Sequence, residues 1–226
     1  MIKHPHQAQP ILQSGEPLEN ARAAMVMIHG RGASAESILM LAEEFKQPDF
    51  AYLAPQAADG TWYPNRFLAP IASNEPWLSS ALAVVGSVVG QIIATGIPAE
   101  RIMLLGFSQG ACLALEYAAR NARRYGGVIG LSGGLIGAED EPRHDNGDFA
   151  GAPVFLGCSD VDFHIPKERV EHAAKILQAL GGNVTMRLYP NMDHTVNHDE
   201  VKFIRSMMAC VGNAIGPAST NDVTHF

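Results

Sequence analysis

The sequence predicts an α/β domain with a largely parallel central sheet and helices on both of its faces. The chain has 226 residues, of which 47% are hydrophobic and 17% charged, and this suits one compact domain rather than a disordered or fibrous protein. Short runs rich in Val, Ile, Leu and Met alternate with longer segments of helical period. That alternation is typical of parallel strands buried between two layers of helices.

The strand predictions rest on short apolar runs bounded by glycine, proline or polar residues. A first, less regular run lies at residues 11–13. The later runs are apolar over most of their length, as expected of strands that helices cover on both faces. They lie at residues 24–28, 51–54, 101–107, 127–131, 153–157 and 184–189.

The segments between the strands have apolar residues at helical spacing. Ser34 is placed to cap the first helix, and Gly181 with Gly182 to end the fourth. The predicted helices span residues 35–46, 76–95, 109–123, 166–180 and 198–211. Together these elements predict a single domain over residues 1–212, followed by a flexible tail over 213–226 that is small, polar and without periodicity.

Two predicted connections stand out by their length. Residues 56–75 and 132–152 exceed the usual length of about two to six residues, and long loops in a compact domain are often functional. We expect both of them to wall a cleft at the edge of the sheet.

The charge and cysteine content exclude several classes of protein. Asp and Glu number 23 against 16 Lys and Arg, a formal charge of -7, and no basic run offers a surface for nucleic acid. Three cysteines far apart argue against a disulfide framework. The polar residues 1–10 do not resemble a secretory signal, and glycines and polar residues interrupt the apolar window 81–97. We therefore expect a cytoplasmic protein without stable membrane insertion.

The strongest functional signal is the motif Gly106–Phe107–Ser108–Gln109–Gly110, which joins a predicted strand directly to a predicted helix. A serine on such a sharp turn projects its hydroxyl above the sheet edge, and the two glycines avoid collisions within the bend. The amino terminus of the following helix would favour a developing negative charge beside that hydroxyl. Ser108 is the predicted nucleophile.

A nucleophilic serine needs a histidine base and a carboxylate that orients the histidine. In this fold the carboxylate and then the histidine should follow the ends of later strands in the chain. Asp162 lies just beyond the strand 153–157, and His194 lies just beyond the strand 184–189. Asp160 competes for the role of the acid. His198 competes with His194, but it falls at the start of a helix, where a surface or capping role is expected.

No metal site is expected. His194 and His198 are four residues apart, a spacing that can bind zinc on a helix, but Thr195 stands where the zincin pattern has glutamate. His29 and His164 are expected to be hydrogen-bonded loop residues.

The second half of an oxyanion hole should come from the strand end nearest the serine. The run His29–Gly30–Arg31–Gly32 directly follows the strand 24–28, and its glycines would let backbone N–H groups approach a substrate carbonyl closely. The proposed donors are the backbone N–H groups of Arg31 and Gln109.

These motifs, with 162–166 (Asp-Phe-His-Ile-Pro) and 192–194 (Met-Asp-His), resemble the phospholipase/carboxylesterase family, which includes acyl-protein thioesterases. The resemblance covers residues 24–212 and implies the α/β-hydrolase fold. The family ends its acid strand in Asp-x-x-Val/Ile-Pro, which favours Asp162 over Asp160. This chain departs from the family in Cys158–Ser159, where relatives often have His-Gly, and in Phe163, where they have proline. The predicted helix 76–95 begins soon after the aromatic stretch 61–67, which implies a short or absent lid.

The sequence thus predicts a cofactor-free serine hydrolase that cleaves carboxylic esters through an acyl-enzyme, with a small ester or acyl substrate as its partner and a homodimer left open. Lysophospholipase or acyl-protein thioesterase activity is the alternative, and a noncatalytic binding module on a hydrolase scaffold is a further one. Apolar surface for the substrate is expected from the aromatic residues of the first long loop and the helix after it. These residues are Trp62, Tyr63, Phe67 and Trp77.

Overall fold

A computed structural model describes residues 4–45 and 47–213 of the chain. Seven strands form one sheet in the order β1-β3-β2-β4-β5-β6-β7, in which β1 runs antiparallel to β3 and every other neighbouring pair is parallel. The strands are β1 (Ile11–Gly15), β2 (Ala23–Ile28), β3 (Phe50–Pro55), β4 (Ile102–Phe107), β5 (Gly127–Leu131), β6 (Pro153–Ser159) and β7 (Asn183–Tyr189). The mostly parallel sheet predicted from the sequence is confirmed.

Six α-helices cover the two faces of this sheet. They are α1 (Ala35–Met40), α2 (Ala42–Phe45), α3 (Trp77–Ala94), α4 (Gln109–Arg120), α5 (Lys167–Ala179) and α6 (His198–Asn213). The apolar residues of α3, α4 and α5 pack into one core, and those of α1, α2 and α6 pack into a second core on the opposite face.

The central strands divide their side chains between the two cores. Val26 of β2 and Leu104 of β4 point into the first core, whereas their neighbours Met27 and Leu105 point into the second. Successive side chains of a strand point to opposite faces, so a strand covered on both faces must be apolar throughout. This is why these strands read as continuous apolar runs in the sequence.

Most element boundaries lie within two residues of the prediction, and two helices differ by more. The predicted first helix, 35–46, is broken at Leu41, whose N–H donates to the carbonyl of Ile38 at 3.1 Å, one residue nearer than in an α-helix. The predicted cap is present, because the Ser34 hydroxyl accepts a hydrogen bond from the N–H of Ser37. Helix α4 ends at Arg120 rather than at residue 123. The predicted tail, 213–226, lies outside the described residues except for Asn213.

Within residues 4–45 and 47–213, α3 is the one helix with the length and apolar composition of a membrane span. It packs against β2, β3 and α4, and its residues Leu78, Val85 and Ile92 are fully buried in the first core. Packing in the core therefore accounts for the apolar character of this helix.

Candidate active site

Ser108 occupies a sharp turn between β4 and α4. Its backbone dihedrals, φ 56° and ψ -120°, are rarely adopted by a residue with a side chain. A Cβ atom at Gly106 would overlap the carbonyl of Gly110, and one at Gly110 would overlap the carbonyl of Ile28. Only glycine fits at these two positions, so the turn that raises the Ser108 hydroxyl above the sheet depends on both.

The Ser108, His194 and Asp162 side chains form a continuous hydrogen-bonded line. His194 Nε2 lies 2.8 Å from Ser108 Oγ, and His194 Nδ1 lies 2.6 Å from Asp162 Oδ2. These two hydrogen-bond partners determine the tautomer of the His194 imidazole: Nδ1–H donates to the carboxylate, and Nε2 accepts from the serine hydroxyl. Three residues that are 54 and 32 positions apart in sequence are thus within direct contact.

The environment of Asp162 keeps its carboxyl group ionised. Burial by itself would raise its pKa, but the hydrogen bond from His194 and those from the backbone N–H groups of His164 (2.8 Å) and Ile165 (3.1 Å) outweigh burial and hold the pKa below the usual value. A carboxylate is therefore available at neutral pH to orient the imidazole.

Asp160 and His198, the alternatives to Asp162 and His194, do not join this hydrogen-bonded line. Asp160 Oδ1 accepts a hydrogen bond from the N–H of Asn191 at 2.8 Å, which ties the loop after β6 to the loop after β7. His198 is exposed at the start of α6. Among the residues that the structure describes, no cluster of three or more His, Cys, Asp or Glu side chains is arranged to hold a metal ion.

The two proposed oxyanion donors lie in the wall of the cavity that contains Ser108. In the described part of the chain, neither the backbone N–H of Arg31 nor that of Gln109 donates to a protein acceptor. Both groups are thus available to a substrate oxygen beside Ser108, and the position of Gln109 in the first turn of α4 adds the positive end of the helix dipole.

The Gln109 side chain has a role that sequence reasoning missed. Its Oε1 accepts from the N–H of Trp62 (2.9 Å) and the hydroxyl of Thr61 (3.3 Å), and its Nε2 donates to the carbonyl of Tyr63 (2.8 Å). The side chain is buried, so these bonds hold the long loop against the turn at Ser108. The only signal in the sequence was a glutamine directly after the predicted nucleophile.

The Arg31 side chain also binds that loop. Its guanidinium donates to the carbonyls of Tyr63 (2.8 Å), Pro64 (3.0 Å) and Asn65 (2.8 Å). Arg31 thus lines the cavity and holds residues 63–65, which line the same cavity, with its side chain.

The cavity around Ser108 has a volume of about 590 Å³. Tyr63 and Phe67 line it, as predicted for substrate-contacting residues, together with Arg66 and with His164 of the loop that carries Asp162. His164 was expected to be only a loop residue, yet its ring centroid lies 4.9 Å from that of His194.

The other two predicted substrate contacts, Trp62 and Trp77, do not line this cavity, contrary to the prediction from the sequence. Trp62 is fully buried, its indole N–H donates to the carbonyl of His29 at 2.9 Å, and its ring packs between those of His6 and His29. Trp77 packs edge-on against His6. A buried indole needs an acceptor for its N–H, and that acceptor lies behind the cavity wall.

The second long loop was also expected to wall the cleft, and this is wrong. Residues 132–152 contribute nothing to the cavity around Ser108. They cover α4 and α5 instead, where Glu116 accepts from the N–H of Ile136 (3.1 Å) and Arg169 donates to the carbonyls of Leu135 (3.0 Å) and Gly137 (2.8 Å).

The buried Cys112 lies at the floor of the cavity. Burial raises the pKa of its thiol to about 11, so it is neutral at physiological pH. It is therefore not a second nucleophile.

His29 follows the expectation of a hydrogen-bonded loop residue. Its Nδ1–H donates to the carbonyl of Gly30 (2.8 Å), and its Nε2 accepts from the N–H of Ala57 (3.1 Å). Burial lowers the pKa of this imidazole, which favours the neutral form that these two bonds require.

Comparison with known proteins extends these observations. A family profile described as Phospholipase/Carboxylesterase matches residues 11–211. The chain is 27% identical to acyl-protein thioesterase 1 of Eremothecium gossypii, over 88% of this chain and 93% of that protein, and 26% identical to acyl-protein thioesterase 1 of Saccharomyces cerevisiae, over 87% and 96%.

A solved structure agrees with this similarity. A phospholipase/carboxylesterase from Dyadobacter fermentans superimposes with a TM-score of 0.86 at 45% identity, covering 89% of this chain and 97% of that one. The fold predicted from the motifs, that of the α/β-hydrolases, is confirmed.

Proposed function

The chain belongs to the phospholipase/carboxylesterase family and is a hydrolase of the esterase and acyl-protein thioesterase type, and from that premise we propose that it cleaves carboxylic esters through an acyl-enzyme formed on Ser108. The observation that carries the proposal is the line of two short hydrogen bonds from Ser108 through His194 to Asp162, at 2.8 and 2.6 Å.

In the first half of the reaction, Ser108 Oγ attacks the acyl carbon while its proton passes to His194 Nε2. Asp162 holds the imidazole in the tautomer that can accept this proton and stabilises the imidazolium that forms. The carbonyl oxygen of the substrate becomes an oxyanion, to which the backbone N–H groups of Arg31 and Gln109 donate. The tetrahedral intermediate then collapses, and His194 protonates the departing alcohol or thiol.

In the second half, a water molecule takes the place of the leaving group. His194 accepts a proton from the water as it attacks the acyl carbon, and it returns that proton to Ser108 Oγ when the acid is released. The same residues serve both halves, so the mechanism needs no cofactor.

Thioester hydrolysis is a second candidate, because the curated relatives of comparable length are named acyl-protein thioesterases. The same attack and the same oxyanion donors would serve a thioester. Rates on matched oxygen and sulfur esters of one acyl chain would establish which leaving group is preferred. Comparison of acetyl, butyryl and longer chains would separate a small-ester hydrolase from a lysophospholipase. The proposal includes a cytoplasmic location.

We predict that Ser108→Ala lowers kcat/KM for a short p-nitrophenyl ester by about 10⁴-fold or more, since loss of the nucleophile removes the acyl-enzyme route. A fluorophosphonate probe should label the unaltered protein and fail to label this variant. Ser206→Ala, which removes an exposed hydroxyl on α6, is the matched control and should be labelled normally. Near-parental hydrolysis by folded Ser108→Ala would refute the assignment.

A further inference from the structure

The wall of the cavity around Ser108 has a charge opposite to that of the whole molecule. The chain has a formal charge of -7, yet the described residues that line this cavity include two arginines, Arg31 and Arg66, and no aspartate or glutamate. The carboxylate of Asp162 is buried and is hydrogen-bonded to His194.

The positive charge of these two arginines is not neutralised by a protein carboxylate. Arg31 donates only to uncharged backbone carbonyls. Arg66 is exposed, and within the described residues its guanidinium makes neither an ion pair nor a hydrogen bond. By contrast, Arg120, Arg143 and Arg187 each lie within 3.0 Å of a carboxylate oxygen.

The two arginines differ in what holds them in place. The three carbonyl contacts of Arg31 give it a structural reason to be arginine, because a rigid planar fork fits several acceptors at once. No such contact explains Arg66, which lies on the same loop as Tyr63 and Phe67 and faces the same cavity. A concave wall of one charge sign concentrates its field in the cavity and attracts ligands of the opposite sign.

We propose that this cavity accepts esters whose acid or alcohol part bears an anionic group, a carboxylate or a phosphate, and that Arg66 with Arg31 supplies the counter-charge. The inference rests on the proposed hydrolase function and narrows its substrate class. The anion is held beside the scissile carbonyl while Ser108 attacks, so the charge improves capture of the substrate and not the bond-breaking step itself.

The test compares pairs of esters in which one member carries an anionic group and the other does not. Monoethyl succinate and ethyl butyrate share the ethyl leaving group and a four-carbon acyl chain, and differ in a terminal carboxylate against a methyl group. A second pair, 2-phosphoethyl butyrate against ethyl butyrate, carries a phosphate on the alcohol part. Hydrolysis followed by pH-stat at low ionic strength gives kcat/KM for each. We expect at least one anionic ester to be preferred by about tenfold or more, the effect of one charge-assisted contact.

The variants separate a local contact from an effect of net charge. Arg66→Gln should reduce the ratio of kcat/KM for the anionic over the neutral ester to near one, whereas Arg66→Lys should retain part of it. Arg124→Gln makes the same change in net charge at an exposed position between α4 and β5, where the strands begin, and should leave the ratio unchanged. Added salt should also lower the ratio in the unaltered protein, because the charges are screened.

A measurement on the unaltered protein keeps the inference testable if the Arg66 variants fail to fold. Succinate or phosphate should slow fluorophosphonate labelling of Ser108 at concentrations at which uncharged 1,4-butanediol has no effect. Preference for the neutral ester, or an equal ratio in Arg66→Gln and Arg124→Gln, would overturn the inference and leave the hydrolase function intact. Failure to cleave every ester together with failure of the probe to label Ser108 would overturn both.

Discussion

At the scale of single residues, Gln109 links the reacting groups to the loop that walls them. It lines the cavity, and its side chain makes three hydrogen bonds to residues 61–63. We predict that Gln109→Ala lowers kcat/KM for a short ester by about tenfold to a hundredfold, because a misplacement of about 1 Å in a site can cost that much. Steady-state kinetics would measure the loss.

The control for this prediction is the reactivity of the serine. Labelling of Ser108 by a fluorophosphonate should persist in Gln109→Ala, because the Ser108–His194–Asp162 hydrogen bonds do not involve the amide. Gln109→Glu keeps the Oε1 acceptor but places an oxygen against the carbonyl of Tyr63, and a loss of similar size is expected. Unchanged kinetics in both variants would mean that the amide does not position the loop.

Individual residues differ in how far the sequence could reveal them. The grouping of Ser108, Asp162 and His194 could be predicted because parallel strands bring their carboxyl ends to one edge of the sheet, so position along the chain implies proximity in space. Trp62 and Trp77 could not be placed in the same way. An aromatic residue in a long loop can face the cavity or the core, and for Trp62 the deciding factor was the carbonyl of His29, a contact that no local pattern encodes.

At the scale of elements, a buried carboxylate on α4 anchors the second long loop. Glu116 accepts from Arg120 at 2.7 Å, from Arg143 at 3.0 Å and from the N–H of Ile136 at 3.1 Å, and its side chain is 1% exposed. We predict that Glu116→Ala lowers the free energy of unfolding by about 1–3 kcal/mol, because the buried N–H of Ile136 loses its acceptor. Arg143 keeps Asp145 as a partner at 2.7 Å, and Arg120 is partly exposed, so neither is left as an unpaired buried charge. Urea denaturation would measure it.

A matched control distinguishes this network from a general loss of charge. Glu168→Ala removes an exposed glutamate from the first turn of α5 and should change the stability by less than about 1 kcal/mol. If both variants lose the same amount, the contacts of Glu116 do not contribute beyond its charge. Ester hydrolysis by Glu116→Ala should persist under conditions in which the protein is folded, because residues 132–152 do not line the cavity.

The type of each element was easier to predict than its boundaries or the surface on which a long loop packs. Continuous apolar runs identified β2 and β4 because both of their faces are buried, and the cap at Ser34 marked the start of α1. The break at Leu41 leaves no comparable trace, since Leu41 is itself a good helix former. The surface on which residues 132–152 pack depends on hydrogen bonds to Glu116 of α4 and Arg169 of α5, which the sequence of the loop does not reveal.

At the scale of the whole molecule, two buried histidines make stability depend on pH. His6 donates through Nε2–H to the carbonyl of Trp62 (3.0 Å) and accepts at Nδ1 from the N–H of Ala58 (3.1 Å), much as His29 accepts from the N–H of Ala57. Burial lowers the pKa of both imidazoles below the usual value of 6.5. The unfolded chain therefore binds protons first as the pH falls, and this contribution to stability is present above pH 6.5 and lost below it.

We predict that the unaltered protein loses more of its free energy of unfolding between pH 7.5 and pH 5.5 than the double variant His6→Gln/His29→Gln. Glutamine can donate and accept hydrogen bonds but does not titrate in this range. Each histidine can contribute at most about 1.4 kcal/mol per pH unit. Urea denaturation at the two pH values would measure the difference, and equal losses in the two proteins would contradict the prediction.

Glu200 acts with the opposite sign, but both proteins contain it, so its contribution cancels when their losses are compared. Its carboxyl group is buried with Oε1 unpaired among the described residues, and burial raises its pKa to about 7. The folded state holds this proton more tightly than the unfolded state, so the contribution of Glu200 to stability grows as the pH falls from about 7 toward 4.5 and reduces the loss in each protein alike.

The tight packing of Gly110 against the carbonyl of Ile28 brings the first turn of α4 against the end of β2 through backbone atoms. We therefore expect the spacing between the proposed nucleophile and the proposed donor in α4 to persist when exposed side chains of the cavity wall are changed. Substitutions in the cavity wall, at positions such as Arg66 or Phe67, would then change substrate selectivity without moving these backbone atoms. A scaffold built in this way suits laboratory evolution, in which selectivity can be diversified without rebuilding the chemistry.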